Sequence, residues 1–286
     1  MCPRHLLIIG ALGSMLVGCE SLSGPSRYET RVHGWVFDTA FRPLPGTRVE
    51  ILDGPRAGAS MSTGVGGAFE FGGSARGAVT LRASRDGFES ATIATVWEPG
   101  DSSRISLYMR SLEPTLPITP GSYTLTVTSH PTATGTAGVS CTGFPADLLS
   151  RTYEAVIEPY AGIPVNDHAF VVRLAGPTLF NSGVFQSGFA FGVAGQFVGF
   201  EIDGFSWPIE NVSAFRYLTI TGSAPTSEPA TSTETSMTIP FRGEFAYCHL
   251  KSDRGGYNDC SQVPAELIIE YQRCSSAQDT MVFTKR

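Results

Sequence analysis

Val32-His33-Gly34-Trp35-Val36-Phe37-Asp38 reads as a strand with one face buried and the other turned outward, and it sets the fold class of the chain. Phe41-Arg42-Pro43-Leu44-Pro45-Gly46 follows as a turn, and a second strand runs from Thr47 to Leu52. Turns at Asp53-Gly54-Pro55 and Gly64-Val65-Gly66-Gly67 lead to strands at Ala68 to Phe71 and Ala78 to Ala83, then Ile93 to Trp97 and Arg104 to Met109. About seven short strands in this interval, punctuated by Gly and Pro, predict a small β-sandwich over residues 29–111.

The segment 112–120 has Pro114, Pro117 and Pro120, which withhold ladder donors and predict a stiff, extended linker. Beyond it Ser122-Tyr123-Thr124-Leu125-Thr126-Val127-Thr128 alternates strictly. Further strands are predicted at 151–158, 169–174, 188–193, 196–202, 215–221, 236–244 and 280–285, with a helical turn over 145–150. About eight antiparallel strands make residues 121–286 a β-barrel or a sandwich, and the barrel is favoured. Phe189, Phe191 and Phe200, with Phe180, Phe185, Phe197 and Phe205, form a dense aromatic stretch. In a small barrel such rings either fill the interior or line a cavity for an apolar ligand. The chain is thus expected to be all-β: a seven-stranded sandwich, a Pro-rich linker and a larger antiparallel barrel or sandwich. Ala224 to Thr235, rich in Ser, Thr, Pro and Glu, reads as an exposed loop, and 262–273 suits a short helix or a strand equally.

Composition excludes some partners. Charged residues are 16% and the formal charge is −6, with Lys and Arg scattered singly, so there is no clustered basic face for nucleic acid. Catalytic patterns are missing too. There is no Gly-x-Ser-x-Gly elbow, and His33, His130, His168 and His249 show no His-x-x-x-His or His-x-x-Glu spacing, so an enzyme is not expected. The Gly64–Gly67 run precedes a strand and lacks the helix N-terminus of a phosphate loop. No cofactor or metal is implied.

Taken in order, Val-x-Gly-x-Val-x-Asp at 32–38, Pro-Leu-Pro-Gly-Thr-x-Val at 43–49, Gly-x-Phe-x-Phe at 67–71 and Leu-x-Ala-x-x-x-Gly-Phe at 81–88 resemble the carboxypeptidase regulatory-like domain. The resemblance implies a non-catalytic, prealbumin-like sandwich of the carbohydrate-binding-like group, used as an accessory module. It implies no peptidase activity, and the His-x-x-Glu of a zinc carboxypeptidase is absent. Trp35 and Trp97 are then candidates for a sugar-stacking platform, with strand packing as the alternative. The two ends of the second domain, Gly121–Leu125 with Phe144–Tyr153, and Phe283–Arg286, are similar to a lipocalin-like domain of bacterial lipoproteins. That similarity implies a carrier of a small apolar ligand as the competing function.

The N-terminus carries a third resemblance. An apolar run from Leu6 to Val17 follows Arg4 and ends in Leu16-Val17-Gly18-Cys19, which resembles a bacterial lipobox. The run is too short to span a bilayer, which takes roughly 20 residues. The resemblance implies that residues 1–18 are a signal peptide, that Cys19 is acylated, and that 19–28 form a tether to a cell-envelope membrane. Glu20 in place of aspartate leans toward the outer membrane. The expected partners are therefore the membrane through Cys19 and a polysaccharide or protein.

Apart from Cys2 and Cys19, the cysteines are Cys141, Cys248, Cys260 and Cys274, and four in an exported chain suggest two disulfides. Cys248–Cys260 and Cys141–Cys274 are the favoured pairs among three pairings. His249 beside Cys248 raises a zinc site, but the cysteines lack the Cys-x2-4-Cys spacing of structural zinc.

Overall fold

A computed structural model describes residues 31–54, 56–73, 77–97, 104–130, 141, 143–160, 168–175, 188–202, 210–225, 227–253 and 260–286. Residues 1–30, where the signal peptide, Cys19 and the tether are expected, lie outside the described residues, as do Phe180, Phe185 and Phe205.

The first unit is a sandwich of two small sheets. Strands β1 (Arg31–Asp38), β4 (Ala68–Gly72) and β7 (Arg104–Met109) form one sheet in the order β4-β1-β7. Strands β2 (Arg48–Ile51), β3 (Ser60–Ser62), β5 (Gly77–Ser84) and β6 (Ala91–Trp97) form the other in the order β3-β2-β5-β6. Alternation explains the core: Val32 and Val36 of β1 face Val49, Ile51 and Leu81 of the second sheet, with Phe69, Leu107 and Met109 beside them. β1 and β7 run parallel, so the outward residues Trp35 and Phe37 lie next to Ser106 and Tyr108.

The second unit is a closed, eight-stranded antiparallel barrel. Going round it, β8 (Gly121–Thr128), β9 (Ser150–Pro159), β10 (Ala169–Ala175), β11 (Gly188–Ala194), β12 (Phe197–Ile202), β14 (Arg216–Ser223), β16 (Ser236–Leu250) and β17 (Ile268–Lys285) each pair with the next, and β17 pairs back to β8. Two short strands, β13 (Glu210–Ser213) and β15 (Thr231–Ser232), add to the edges of β14 and β16. The seam between β12 and β14 is the thinnest, with two residue pairs, Glu201↔Ser223 and Ile202↔Gly222.

β16 and β17 run well beyond the predicted 236–244 and 280–285. The register shifts at Phe241/Gly243 and His249/Leu250, and each shift breaks the period-two pattern that reveals a strand in sequence. The stretch 262–273 combines both readings: a 3-10 turn at Ala265–Leu267 opens after Pro264, and β17 starts at Ile268. The stretch read as a loop, 224–235, is partly tied down, since it contains β15 and the buried Ala230.

The linker is not a free spacer. Leu116 is buried in the barrel core with Ile118 packed beside it, and its backbone N–H donates to Gly195 O at 2.9 Å. Pro114, Pro117 and Pro120 keep the segment extended, and burying Leu116 and Ile118 makes it the cover over one end of the barrel. The opposite end is closed by residues 143–149. There a 3-10 turn at Ala146–Leu148 seats Leu148 and Phe144 in the same core, and Phe144 meets Tyr247 edge-on at 6.4 Å.

Candidate functional site

Alternation on β1 buries Val32, Gly34 and Val36 and leaves His33, Trp35 and Phe37 partly exposed on the outer face of the three-stranded sheet. Tyr108 of β7 joins them, its ring 6.0 Å from Phe37 and nearly parallel to it. Phe41, in the loop after β1, meets Tyr108 edge-on at 6.1 Å. Four rings, Trp35, Phe37, Tyr108 and Phe41, thus make an aromatic track along one face of the sandwich. Trp97 is not part of it. Its side chain is 2% exposed in the sandwich core, so this candidate for a sugar platform is corrected to a packing residue. β6 turns its alternate residues inward, and the large indole fills space between the sheets.

The loop 39–42 that carries Phe41 is shaped by Asp38. One carboxylate oxygen accepts the backbone N–H groups of Ala40 and Arg42, each at 2.9 Å, and the other accepts Arg42 Nε at 2.7 Å. These bonds hold Phe41 at φ 59°, a left-handed conformation uncommon for a bulky residue. Burial pushes the Asp38 carboxyl up from its ordinary value, against the opposing pull of the Arg42 guanidinium.

The tip of this loop sits in a notch in the barrel wall. Gly192 of β11 and Gly199 of β12 are directly opposed across the ladder. A β-carbon at Gly192 would stand 1.9 Å from Thr39 O, and one at Gly199 would stand 1.7 Å from Ala40 O, so only glycine admits the loop at either position. The Thr39 hydroxyl donates to Val193 O, and the Arg42 guanidinium lies 3.7 Å over the Phe197 ring. Beside this contact is a cleft of about 440 Å³ between the two units, bordered by Phe41, Arg42, Phe200, Glu201, Ser223 and Pro225.

Inside the barrel, Phe189, Phe191 and Phe200 are all buried. Phe170 stacks on Phe191 at 5.3 Å, Phe189 meets Phe200 at 5.4 Å, and Phe200 meets Phe241 at 6.3 Å. These rings pack on one another, which is the filled-interior alternative for the phenylalanine-rich stretch.

With this geometry in hand, comparison with known proteins bears on the first unit. Residues 31–110 match the family model of the carboxypeptidase regulatory-like domain. The match spans the whole seven-stranded sandwich, so the aromatic track and the docking loop both belong to the regulatory-like domain. No curated protein matches the chain. Among solved structures, the Bacillus anthracis TIE protein is similar at 11% identity and a TM-score of 0.27 over 87% of this chain and 48% of that one. The chain spans about half the length of that structure, and the likeness carries no argument about fold or function.

The barrel's disulfides and its buried carboxylate tie its wall together. Cys141 is bonded to Cys274 and Cys248 to Cys260, the pairing favoured from the sequence. The first bond ties the segment 143–149 to β17 at the barrel end. The second pins the segment after Cys260 to the outside of the wall, over a small core of Tyr217, Ala246, Leu250 and Val263. Glu210 is almost fully buried, and it accepts from the Tyr153 hydroxyl at 2.9 Å and from Arg151 through both carboxylate oxygens. Burial, with Glu210 alongside, drives the Tyr153 phenol well above its usual value, so the phenol stays a donor. Among the described residues no group of three or more His, Cys, Asp or Glu is placed to hold a metal ion.

Sequence reasoning selected Trp35 but missed Phe37, Tyr108, Phe41 and Glu201. The alternation of β1 already puts Phe37 on the face of Trp35. The parallel β1–β7 pairing that brings in Tyr108 joins strands about 70 residues apart and leaves no local signal.

Proposed function

We propose that the chain is a lipid-anchored protein of the cell envelope, held at Cys19, in which the regulatory-like domain acts as a non-catalytic binding module for polysaccharide. The observation that carries this reading is the partly exposed aromatic track of Trp35, Phe37 and Tyr108 on an open sheet face. Aromatic rings offer flat apolar faces to the C–H faces of sugar rings, and keeping such rings outside a core that already holds Trp97 forgoes their full burial. The barrel serves as the platform that holds the domain by its 39–42 loop.

The test is retention of the chain on insoluble polysaccharides, peptidoglycan included, with Trp35→Ala and Tyr108→Ala as comparison variants. Retention that falls at least about fivefold in each variant, with the fold intact, supports the reading, given aromatic stacking of about 1 kcal/mol or more per ring. Absence of retention on any polysaccharide, or retention indifferent to both substitutions, refutes it. Anchoring is tested separately: Cys19→Ala should abolish lipid labelling and move the protein from the membrane to the soluble fraction. Continued membrane fractionation of that variant would remove the anchor.

A further inference from the structure

The cleft between the 39–42 loop and the β12–β14 seam has a chemistry of its own. Its volume of about 440 Å³ falls in the range of small-ligand pockets, and it lies where two folded units meet, a common setting for such pockets. Its polar groups have spare bonding capacity. Among the described residues the Glu201 side chain has no hydrogen bond or ion pair, and no side-chain bond engages the Ser223 hydroxyl. Arg42 gives its Nε to Asp38 and its face to Phe197, which leaves its terminal nitrogens as donors at the edge of the cleft. Phe41 supplies an apolar ring, held at positive φ by Asp38 and backed by Tyr108.

We infer that this interdomain cleft binds one neutral, polyhydroxylated ring, the end residue of a glycan chain whose preceding residues lie along the aromatic track. The Arg42 guanidinium is already paired with Asp38, so Glu201 leaves the cleft with excess negative charge: an anionic ligand would meet like charge there and a neutral ring would not. A ring bearing neighbouring hydroxyls suits Glu201 and Arg42 together, because each hydroxyl both donates, here to Glu201, and accepts, here from Arg42. The C–H face of the same ring fits against Phe41. The inference rests on the proposed function for the occupant and adds a site, since Phe41 borders both the track and the cleft. It also gives the docking a purpose: neither unit alone contains the cleft.

The experiment is titration of the full chain with neutral mono- and disaccharides such as glucose, N-acetylglucosamine and cellobiose, and with glucuronate as the charged control, read by ligand-observed NMR and calorimetry. We expect at least one neutral sugar to bind, glucuronate to bind more weakly, and Glu201→Gln to weaken binding by at least about tenfold, as loss of a hydrogen bond to a charged group does. Glu201 is exposed, so the substitution leaves the fold intact. Absence of binding by every neutral sugar, preference for glucuronate, or a Glu201→Gln variant equal to the parent each overturns the inference. The two readings fail separately. Polysaccharide retention that needs Trp35, with no small sugar bound, leaves the proposed function standing and removes the cleft. Small sugars bound through Glu201, with no polysaccharide retained, remove the track and the chain-end assignment together and leave a free-sugar site.

Discussion

The two ends of the barrel are closed by different means. At one end the chain brings a segment from elsewhere, residues 143–149, and locks it in place with the Cys141–Cys274 bond across a separation of 133 residues. At the other end the cover is the linker itself, entering with Leu116 and held by a backbone bond to Gly195, with the 39–42 loop seated in the Gly192/Gly199 notch beside it. The difference follows from chain connectivity. The linker runs directly into β8 and is already near its site, so ordering it costs little entropy, and apolar contact suffices. The 143–149 segment belongs to a longer excursion between β8 and β9, and a covalent tie offsets the freedom it would otherwise have.

The largest effect should come from cutting the covalent end. Loop-closure entropy assigns about 5 kcal/mol to a loop of the size closed by Cys141–Cys274 and about 3 kcal/mol to the short one closed by Cys248–Cys260. Paired Ser substitutions at Cys141 and Cys274 should therefore lower unfolding stability more than the same change at Cys248 and Cys260, by about 2 kcal/mol, as measured by urea denaturation. Equal losses at the two sites would mean that the end closure is held mainly by Phe144 and Leu148.

Next is the apolar end. Leu116→Ala removes a fully packed side chain from the core and should cost about 2–4 kcal/mol. If the loss is below about 0.5 kcal/mol, typical of an exposed position, the linker is a spacer after all and the comparison between the ends collapses.

A smaller effect attends the notch. Gly199→Ala places a β-carbon against Ala40 O and should undock the loop at a cost of about 1–3 kcal/mol, since neither unit's own core is touched. The diagnostic is cooperativity: calorimetry should show the sandwich and the barrel melting together in the parent and apart in the variant.

How legible this arrangement was depends on the kind of pattern that encodes it. β1 and β8 keep strict period-two alternation, so their strands, and with them the all-β class, stand out in the sequence. β17 was legible only beyond its bulge, over 280–285, while the reading of β16 crossed its first bulge and stopped at Glu244, short of the second shift at His249/Leu250. The sequence left three disulfide pairings open, and the favoured one is the one observed. The cleft could not be read at all. Its residues come from the loop after β1 and from two strands at the far side of the barrel, and Gly192 and Gly199 look like any other strand glycines until Thr39 and Ala40 are seen filling the space above them. The linker misled for a related reason: its prolines specify an extended backbone, and extension is equally compatible with a free spacer and with a strap whose leucine is buried.

The smallest predicted effect is electrostatic and again separates the two ends. Each has a buried aspartate whose carboxyl is pushed up by burial: Asp38 beside the notch, and Asp279 at the bulge of β17, close to the disulfide end. Asp38 faces the Arg42 guanidinium. Asp279 accepts the backbone N–H of His130 at 3.1 Å through one carboxylate oxygen, its other oxygen is buried without a hydrogen bond, and no guanidinium pairs with it among the described residues. An acid whose pKa is higher in the folded state takes up protons on folding, so its contribution is fully present below the unfolded value near 3.8 and is lost as the pH rises through the folded value. Each unit of that rise is about 1.4 kcal/mol. Asp279→Asn should therefore be neutral or mildly stabilising at neutral pH, and acidification toward the ordinary carboxylate range should stabilise the parent more than the variant. Asp38→Asn should behave oppositely at neutral pH, destabilising by about 1–2 kcal/mol, because it removes the charge that faces Arg42 and orders the loop. Urea titrations of the parent and both variants at about pH 7 and about pH 5 decide the point. Identical pH slopes for the parent and Asp279→Asn would show that this carboxyl is hydrated in solution and that burial does not set its charge.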